Sequence, residues 1–340
     1  MRTTLSYDDV LLIPQYSTIR SRAEVDVSVD LGRGLSLQLP ILSSPMDTIS
    51  ETEMAIAMDA GGGAAIVHRY NTLQEQATIV SQAKEGNPAL TVGAAIGVSG
   101  DFLNRAAVLR AIGIDFVCVD VAHGHHLSVK EAIGSLRNIL GDMHIMAGNV
   151  ATLAGINDLS DWGADSVRCN IGGGSICSTR VQTGHGMPGL ETVFECAQTD
   201  RDVKIIADGG IRTSGDIVKA LAAGADAVMC GSLLAGTAET PGKVMQDKDG
   251  HRWKIYRGMA SKEAQIEWRG KYSSFEGVAS RVPYRGLVAS ILEDLQRGIR
   301  SGFSYSGART ISELHAKAEF IQQSGASQTE SGTHIHRRDW

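Results

Sequence analysis

Residues 170–188 read Asn170-Ile-Gly-Gly-Gly-Ser-Ile-Cys-Ser-Thr-Arg-Val-Gln-Thr-Gly-His-Gly-Met-Pro188. Three consecutive glycines, Gly172 to Gly174, let a backbone turn sharply and approach a ligand closely. Ser175 adds a hydroxyl, and the N–H groups of such a loop can cradle an anion. Cys177 follows at once, with Arg180 and His185 nearby, and a thiol beside cationic groups ionises more easily and becomes a nucleophile. The stretch therefore offers a nucleophilic cysteine next to an anion site. A bland reading, a glycine-rich turn carrying an inert half-buried cysteine, fits these residues equally well until the rest of the chain is considered.

Positioning such a loop requires a scaffold, and the chain supplies a regular one. Largely apolar runs recur at 41–46, 64–69, 90–96, 116–122, 144–150, 166–171, 204–210 and 227–234, the sixth despite its Arg168. Near-continuous apolarity suits strands buried on both faces. Between them lie stretches of helical spacing at 51–60, 73–84, 102–111, 127–140, 154–162 and 214–223. Ser50, Asn71 and Ser214 stand as start signals, and Gly61, Gly113, Gly163 and Gly224 as stops. Strand and helix alternating eight times predict a (β/α)8 barrel; a doubly wound open sheet is the structural alternative.

In such a barrel, chemistry sits on the loops after the strands. Those loops carry Ser44, Met46 and Asp47 after the first strand and Asp120 with His123-Gly-His-His126 after the fourth. Gly148 and Asn149 follow the fifth, the cysteine loop the sixth, Asp208-Gly-Gly210 the seventh and Gly231-Ser232 the eighth. Glycines after the last two strands match the usual phosphate site of this architecture, and with Ser175 they point to a phosphorylated small molecule. The histidine run lacks a carboxylate at ligand spacing, so a catalytic metal is not expected there. Cys118, Cys169 and Cys230 fall inside strands and Cys196 in a helical stretch, all reading as core. The three glycines do not open a helix and carry no G-x-G-x-x-G pattern, which sets aside a Rossmann fingerprint.

The chain has 340 residues and a formal charge of −6, with 43% hydrophobic and 21% charged residues, the profile of a globular protein with a real core. Mild acidity without a basic stripe argues against nucleic acid. No apolar stretch reaches the roughly 18 residues of a membrane span, and the start lacks a signal core. Five scattered cysteines without a CxxC pair suit a reducing cytoplasm. One domain is expected over 1–340, with a capping segment at 1–40, a lid-like excursion at 241–285 and a flexible tail at 322–340. Glu276 within that excursion is a candidate general acid or base, and an amphipathic helix at 287–299 completes the barrel.

The chain resembles the IMP dehydrogenase and GMP reductase family over nearly its whole length. The motifs that carry the likeness are Tyr7-Asp-Asp-Val-Leu-Leu12, Ser44-Pro-Met-Asp-Thr48, His68-Arg-Tyr70, Val119-Asp-Val-Ala-His-Gly124, Met146-Ala-Gly-Asn-Val150, Gly172-Gly-Gly-Ser-Ile-Cys177, Ala207-Asp-Gly-Gly-Ile211, Gly231-Ser-Leu-Leu234 and Tyr256-Arg-Gly-Met259. The resemblance implies that Cys177 attacks C2 of a purine nucleotide. Ser44 and Tyr256 then belong to the nucleotide site; Ser175, Gly210, Gly231 and Ser232 hold the 5′-phosphate, and Asp208 the ribose hydroxyls. Gly258, Met259 and Glu276 lie along the base, and Asp120 and Asn149 face the nicotinamide. Carbonyls of Gly172, Gly174 and Cys177 would take a monovalent cation such as K+, completed by Glu330 of a neighbouring subunit in a homotetramer. Gly173, where proline is common, and Asn170, where glycine is common, depart from the family pattern.

Within the family, the resemblance favours the reductase, which removes ammonia from GMP and uses NADPH, with acid–base work assigned to Thr179 and Glu276. The interval 71–88 leaves no room for the CBS pair that most dehydrogenases insert, and the flap is short, without an Arg-Tyr dipeptide. Ser21-Arg-Ala-Glu-Val-Asp26 is also closer to reductases. Glu330, Arg281-Val-Pro-Tyr284 and His123-Gly-His125 read instead like dehydrogenases, so an NAD-dependent IMP dehydrogenase lacking CBS domains is the alternative. A purine-nucleotide sensor without redox activity is a third reading.

Overall fold

The computed structural model describes residues 2–272 and 275–332. Eight parallel strands form a closed barrel: Ile41–Ser43, Ala64–Val67, Val92–Ile96, Phe116–Asp120, His144–Val150, Ser166–Cys169, Lys204–Asp208 and Ala227–Cys230, the last pairing back onto the first. A helix follows each strand on the outside: Thr52–Ala60, Leu73–Glu85, Phe102–Ala111, Leu127–Leu140, Leu153–Asp161, Gly189–Cys196, Ser214–Ala222 and Val288–Tyr305. The fold is a (β/α)8 barrel with a long excursion after the eighth strand and no inserted domain.

Alternation along the strands divides the core in two. Leu42, Ile66, Ala95, Phe116, Cys118, Met146, Ile206 and Met229 form one buried cluster inside the barrel, closed by Leu31, Leu35 and Leu37 of the hairpin Val29–Gly32 and Leu35–Leu37. The intervening residues, among them Ile41, Val92, Val117, Ile145, Val167 and Val228, pack outward against the helices. Large and small residues are matched across the interior, since a Cβ on Gly93 would stand 2.3 Å from the Phe116 ring.

Most strands begin at the predicted residues, but several end two to four residues earlier than the apolar runs do. The surplus residues are the loops that turn over the barrel mouth, where apolar and glycine residues line the cavity instead of extending the sheet. All three helix starts signalled in the sequence differ from expectation, and at the first the N-cap is Glu51, not Ser50, with no side-chain cap bond. Thr72, not Asn71, caps its helix in a reciprocal pair with Glu75, and Thr213, not Ser214, does so with Asp216. The last barrel helix runs to Tyr305, past the expected end at 299. Its Gly298 and Gly302 do not stop it: a Cβ there would meet Ser214 at 2.2 Å and Val218 at 2.6 Å, so both glycines admit the neighbouring helix.

The excursion after the eighth strand is structured. Met245–Gln246, Arg252–Arg257 and Ala279–Pro283 form an antiparallel sheet, and the helix Lys262–Arg269 lies between the last two. Buried Lys254 ties this sheet to the barrel by donating to the carbonyls of Thr237, Ala238 and Thr240. Near the end of the chain, Phe320–Gln322 pairs with Val10–Leu12, and Gly325–Glu330 forms a short helix. The end of the predicted flexible tail, residues 333–340, lies outside the described residues. Among the described residues no helix is long and apolar enough to cross a membrane.

Candidate active site

A cavity of about 310 Å³ opens at the C-terminal end of the barrel, and residues from seven of the eight strand ends reach it. Ser44, Asp120, Asn149, Gly172, Gly174, Ser175, Cys177, Thr179, Asp208, Gly210, Gly231, Ser232, Tyr256, Gly258, Met259 and Glu276 all line it. Glu330 does not; it is an exposed residue at the end of its short helix.

Cys177 is exposed, whereas Cys118, Cys169, Cys196 and Cys230 are buried. Burial pushes the thiols of Cys118 and Cys230 up to about 12 and that of Cys169 well above the ordinary value. Ionisation is thus suppressed at those three positions. Cys177 sits on a tight turn closed by its own N–H donating to the Gly174 carbonyl at 3.1 Å. Its Sγ donates to Thr179 Oγ1 at 3.2 Å, and Thr179 Oγ1 donates to Glu276 Oε2 at 2.6 Å. Thr179 opens the short helix Thr179–Thr183, so two residues of the same turn hold the sulfur and the hydroxyl together.

Glu276 comes from a segment 97 residues away in sequence. The excursion delivers it by pairing with the cysteine loop as if adding a strand. Ser178 N–H donates to the Glu276 carbonyl at 2.8 Å, and Val278 N–H to the Ile176 carbonyl at 3.0 Å, with Cys177 and Gly277 bridged between them. Glu276 N–H donates in turn to Ala260, which binds the segment back to the excursion.

The opposite wall is built largely from glycine turns. Gly209 and Gly210 have φ of +84° and +77°, a conformation glycine adopts without strain. The Tyr256 hydroxyl faces Ser175, and burial pushes it up to about 12, so it remains a hydrogen-bond donor. A Cβ on Gly231 would stand 2.8 Å from that hydroxyl, which fixes glycine at 231.

Under the cavity lies a charged layer that the apolar pattern of the strands conceals. Arg168 points into the barrel from the sixth strand and contacts Asp120 Oδ1 at 2.6 Å and Asp208 Oδ2 at 2.8 Å. Asp208 Oδ2 also accepts from Asn149 Nδ2 at 2.8 Å, whereas no described residue bonds its Oδ1. Arg69 reaches Asp120 from the second strand end, with Nε 3.5 Å from Oδ2. Burial works against the charge on Asp120, but Arg168 and Arg69 outweigh it and hold the carboxyl below its usual range. Burial likewise opposes the Arg168 charge, and Asp208 and Asp120 overcome it. Neither Arg69 nor Arg168 was singled out as a site residue by sequence reasoning. The available signal was an arginine inside an otherwise apolar strand, which is costly unless paired.

The match to known proteins agrees with this geometry. A model of the IMP dehydrogenase / GMP reductase domain matches residues 4–334. An inosine-5′-monophosphate dehydrogenase of Nitrosopumilus maritimus is 34% identical, covering 97% of this chain and 98% of its own. A GMP reductase of Leishmania major is 33% identical, covering 97% and 96%. A crystal structure of a cysteine-to-alanine variant of GMP reductase from Trypanosoma brucei, in complex with guanosine 5′-monophosphate, superposes with a TM-score of 0.92 at 31% identity, covering 98% of both chains. The two sequence alignments extend over 468 and 475 positions, more than the 340 residues here, so both relatives carry inserted residues that this chain lacks. Because the Leishmania reductase also carries inserted residues, a shorter chain by itself does not distinguish the two activities.

Proposed function

The chain belongs to the IMP dehydrogenase / GMP reductase family of oxidoreductases, and we propose that within it the protein is a GMP reductase, converting GMP to IMP and ammonia. The observation that carries this reading is the relay in which Thr179 Oγ1 lies 3.2 Å from Cys177 Sγ and 2.6 Å from Glu276 Oε2. It links a nucleophile, through a hydroxyl, to a carboxylate able to hold and return a proton.

In the proposed reaction the Cys177 thiolate adds to C2 of GMP. Glu276, through Thr179, delivers a proton to the 2-amino group, which leaves as ammonia and gives a cysteine-linked purine. A nicotinamide dinucleotide, NADPH on this reading, supplies the hydride that reduces C2. The C–S bond then breaks and the thiolate is restored as IMP departs. Ser175, Gly210, Gly231, Ser232 and Tyr256 hold the phosphate, and the unbonded Oδ1 of Asp208 accepts from the ribose hydroxyls. Arg69, Asp120 and Asn149 form a polar wall on the same cavity, a donor and acceptor set suited to a ring bearing a carboxamide. The carbonyls of Gly172, Gly174 and Cys177, sharing one turn, would bind a monovalent cation such as K+ together with Glu330 from a neighbouring subunit of a homotetramer. A cytoplasmic setting accords with the free Cys177 thiol.

Arg281-Val-Pro-Tyr284 and the dehydrogenase relatives favour the second reading, NAD-dependent oxidation of IMP. Absorbance of the nicotinamide separates the two. Oxidation with GMP plus NADPH, and no reduction with IMP plus NAD, is the expected result; the converse makes the protein a dehydrogenase. Silence in both cuvettes makes it a binding protein.

A further inference from the structure

Asn170, the first residue beyond the sixth barrel strand, is 4% exposed, and its side chain lies where separate backbone stretches meet. Its Nδ2 donates to the carbonyl of Gly209, in the turn after the seventh strand, at 3.2 Å. A Cβ on Gly173 would stand 2.2 Å from Nδ2 and 2.6 Å from Oδ1. A Cβ on Gly189 would stand 3.3 Å from Nδ2. Glycine at 173 is therefore the residue that leaves the carboxamide in place, and the carboxamide fills the space that any side chain at 173 would need.

The amide cannot be turned over, because its oxygen would then oppose the Gly209 carbonyl. In the orientation it has, Oδ1 is buried and no described residue donates to it. An unsatisfied buried acceptor carries a cost that a smaller apolar residue would avoid. A side chain there merely to fill space would not need it.

We propose that Asn170 is a positioning residue: its carboxamide fastens the cysteine loop to the Gly209 turn, so that Cys177 and the anion-binding backbone keep a fixed register. On the function proposed above the two loops grip one substrate jointly and must not drift apart, since displacement of about 1 Å can cost on the order of 100-fold in rate. The tie also makes positions 170 and 173 a single unit, so substitutions at the two sites are strongly non-additive.

The test compares wild type, Asn170→Gly, Gly173→Ala and the double variant. Three properties are measured: kcat and KM with whichever nucleotide couple wild type turns over, the pH profile of Cys177 alkylation by iodoacetamide, and thermal melting. Asn170→Gly is expected to lower kcat about tenfold or more, with a smaller change in nucleotide KM and an altered alkylation profile, while melting shifts by only a few degrees. Gly173→Ala alone is expected to cost about tenfold or more, yet less than about threefold when Asn170 is already glycine. Unchanged kcat and alkylation in Asn170→Gly, additive effects in the double variant, or losses that merely follow melting would each overturn the proposal. Alkylation is read on Cys177 whether or not either couple turns over, so failure of the reductase reading leaves this test standing.

Discussion

Replacing Glu276 by glutamine preserves the size of the side chain and an acceptor for Thr179 Oγ1, but removes the charge and the group that exchanges a proton. The present contact, 2.6 Å between Thr179 Oγ1 and Glu276 Oε2, has the short length of a charge-assisted bond. If Glu276 only props Thr179, the glutamine variant loses little more than one neutral hydrogen bond, about 0.5–1.5 kcal/mol, or roughly tenfold at most. If it supplies the proton to departing ammonia, the loss is roughly 10²–10⁴-fold, about 3–5 kcal/mol of barrier. These ranges do not overlap, so steady-state turnover of GMP with NADPH distinguishes them. A second measurement locates the defect. Mixing IMP with NADP+ runs only the half of the reaction that moves hydride and forms the cysteine adduct, with no ammonia involved. The Glu276→Gln variant is expected to give a normal burst of NADPH in that experiment while GMP turnover collapses. Equal losses in both halves would refute proton transfer by Glu276 and leave it as a brace of the cysteine loop.

Three further outcomes follow from the same geometry. Iodoacetamide applied to the native protein should label Cys177 and spare Cys118, Cys169, Cys196 and Cys230, by mass spectrometry of digests, and Cys177→Ala should abolish turnover while nucleotide still binds; measurable steady-state turnover in that variant removes the covalent mechanism. Arg168→Met leaves the carboxylates of Asp120 and Asp208 buried without their shared cation, and urea unfolding should show a loss of about 3–5 kcal/mol; a loss under 1 kcal/mol would mean that water reaches the layer. His144 is held neutral at the base of the barrel, with burial pulling its pKa down from 6.5 to about 4. Between those values the unfolded chain binds a proton that the native protein refuses, so stability falls as pH drops through the window, by about 3 kcal/mol. Urea midpoints at pH 7.5 and 4.5 should converge in His144→Gln relative to wild type; an unchanged difference means that other groups govern the acid limb.

The strand–helix alternation was legible because a strand buried on both faces must be apolar along its length and an outer helix on one side only. Eight such strands with glycine stops pointed to the barrel, and the barrel rule selected the loops after the strands, which is how Cys177, Asp208, Gly210 and Gly231, all of which line the cavity, became candidates without a structure. The limits of that reading were set by residues whose meaning depends on what faces them. Gly298 and Gly302 carry no distinct signal in one dimension; only the packed neighbour shows them as points of close approach. Arg168 looks like a flaw in a strand until Asp120 and Asp208 are brought around it from the fourth and seventh strands.

What the sequence by itself determined was the list of reactive groups and the scaffold that carries them, because local spacing encodes both secondary structure and loop chemistry. What only the tertiary structure decided was which groups act on one another. Glu276 reaches Thr179 across 97 residues because the excursion pairs with the cysteine loop backbone to backbone, and that pairing depends on the main chain, which every sequence shares. The fit of the Asn170 carboxamide against Gly173 likewise exists only once two loops are folded together, since neither residue constrains the other along an extended chain.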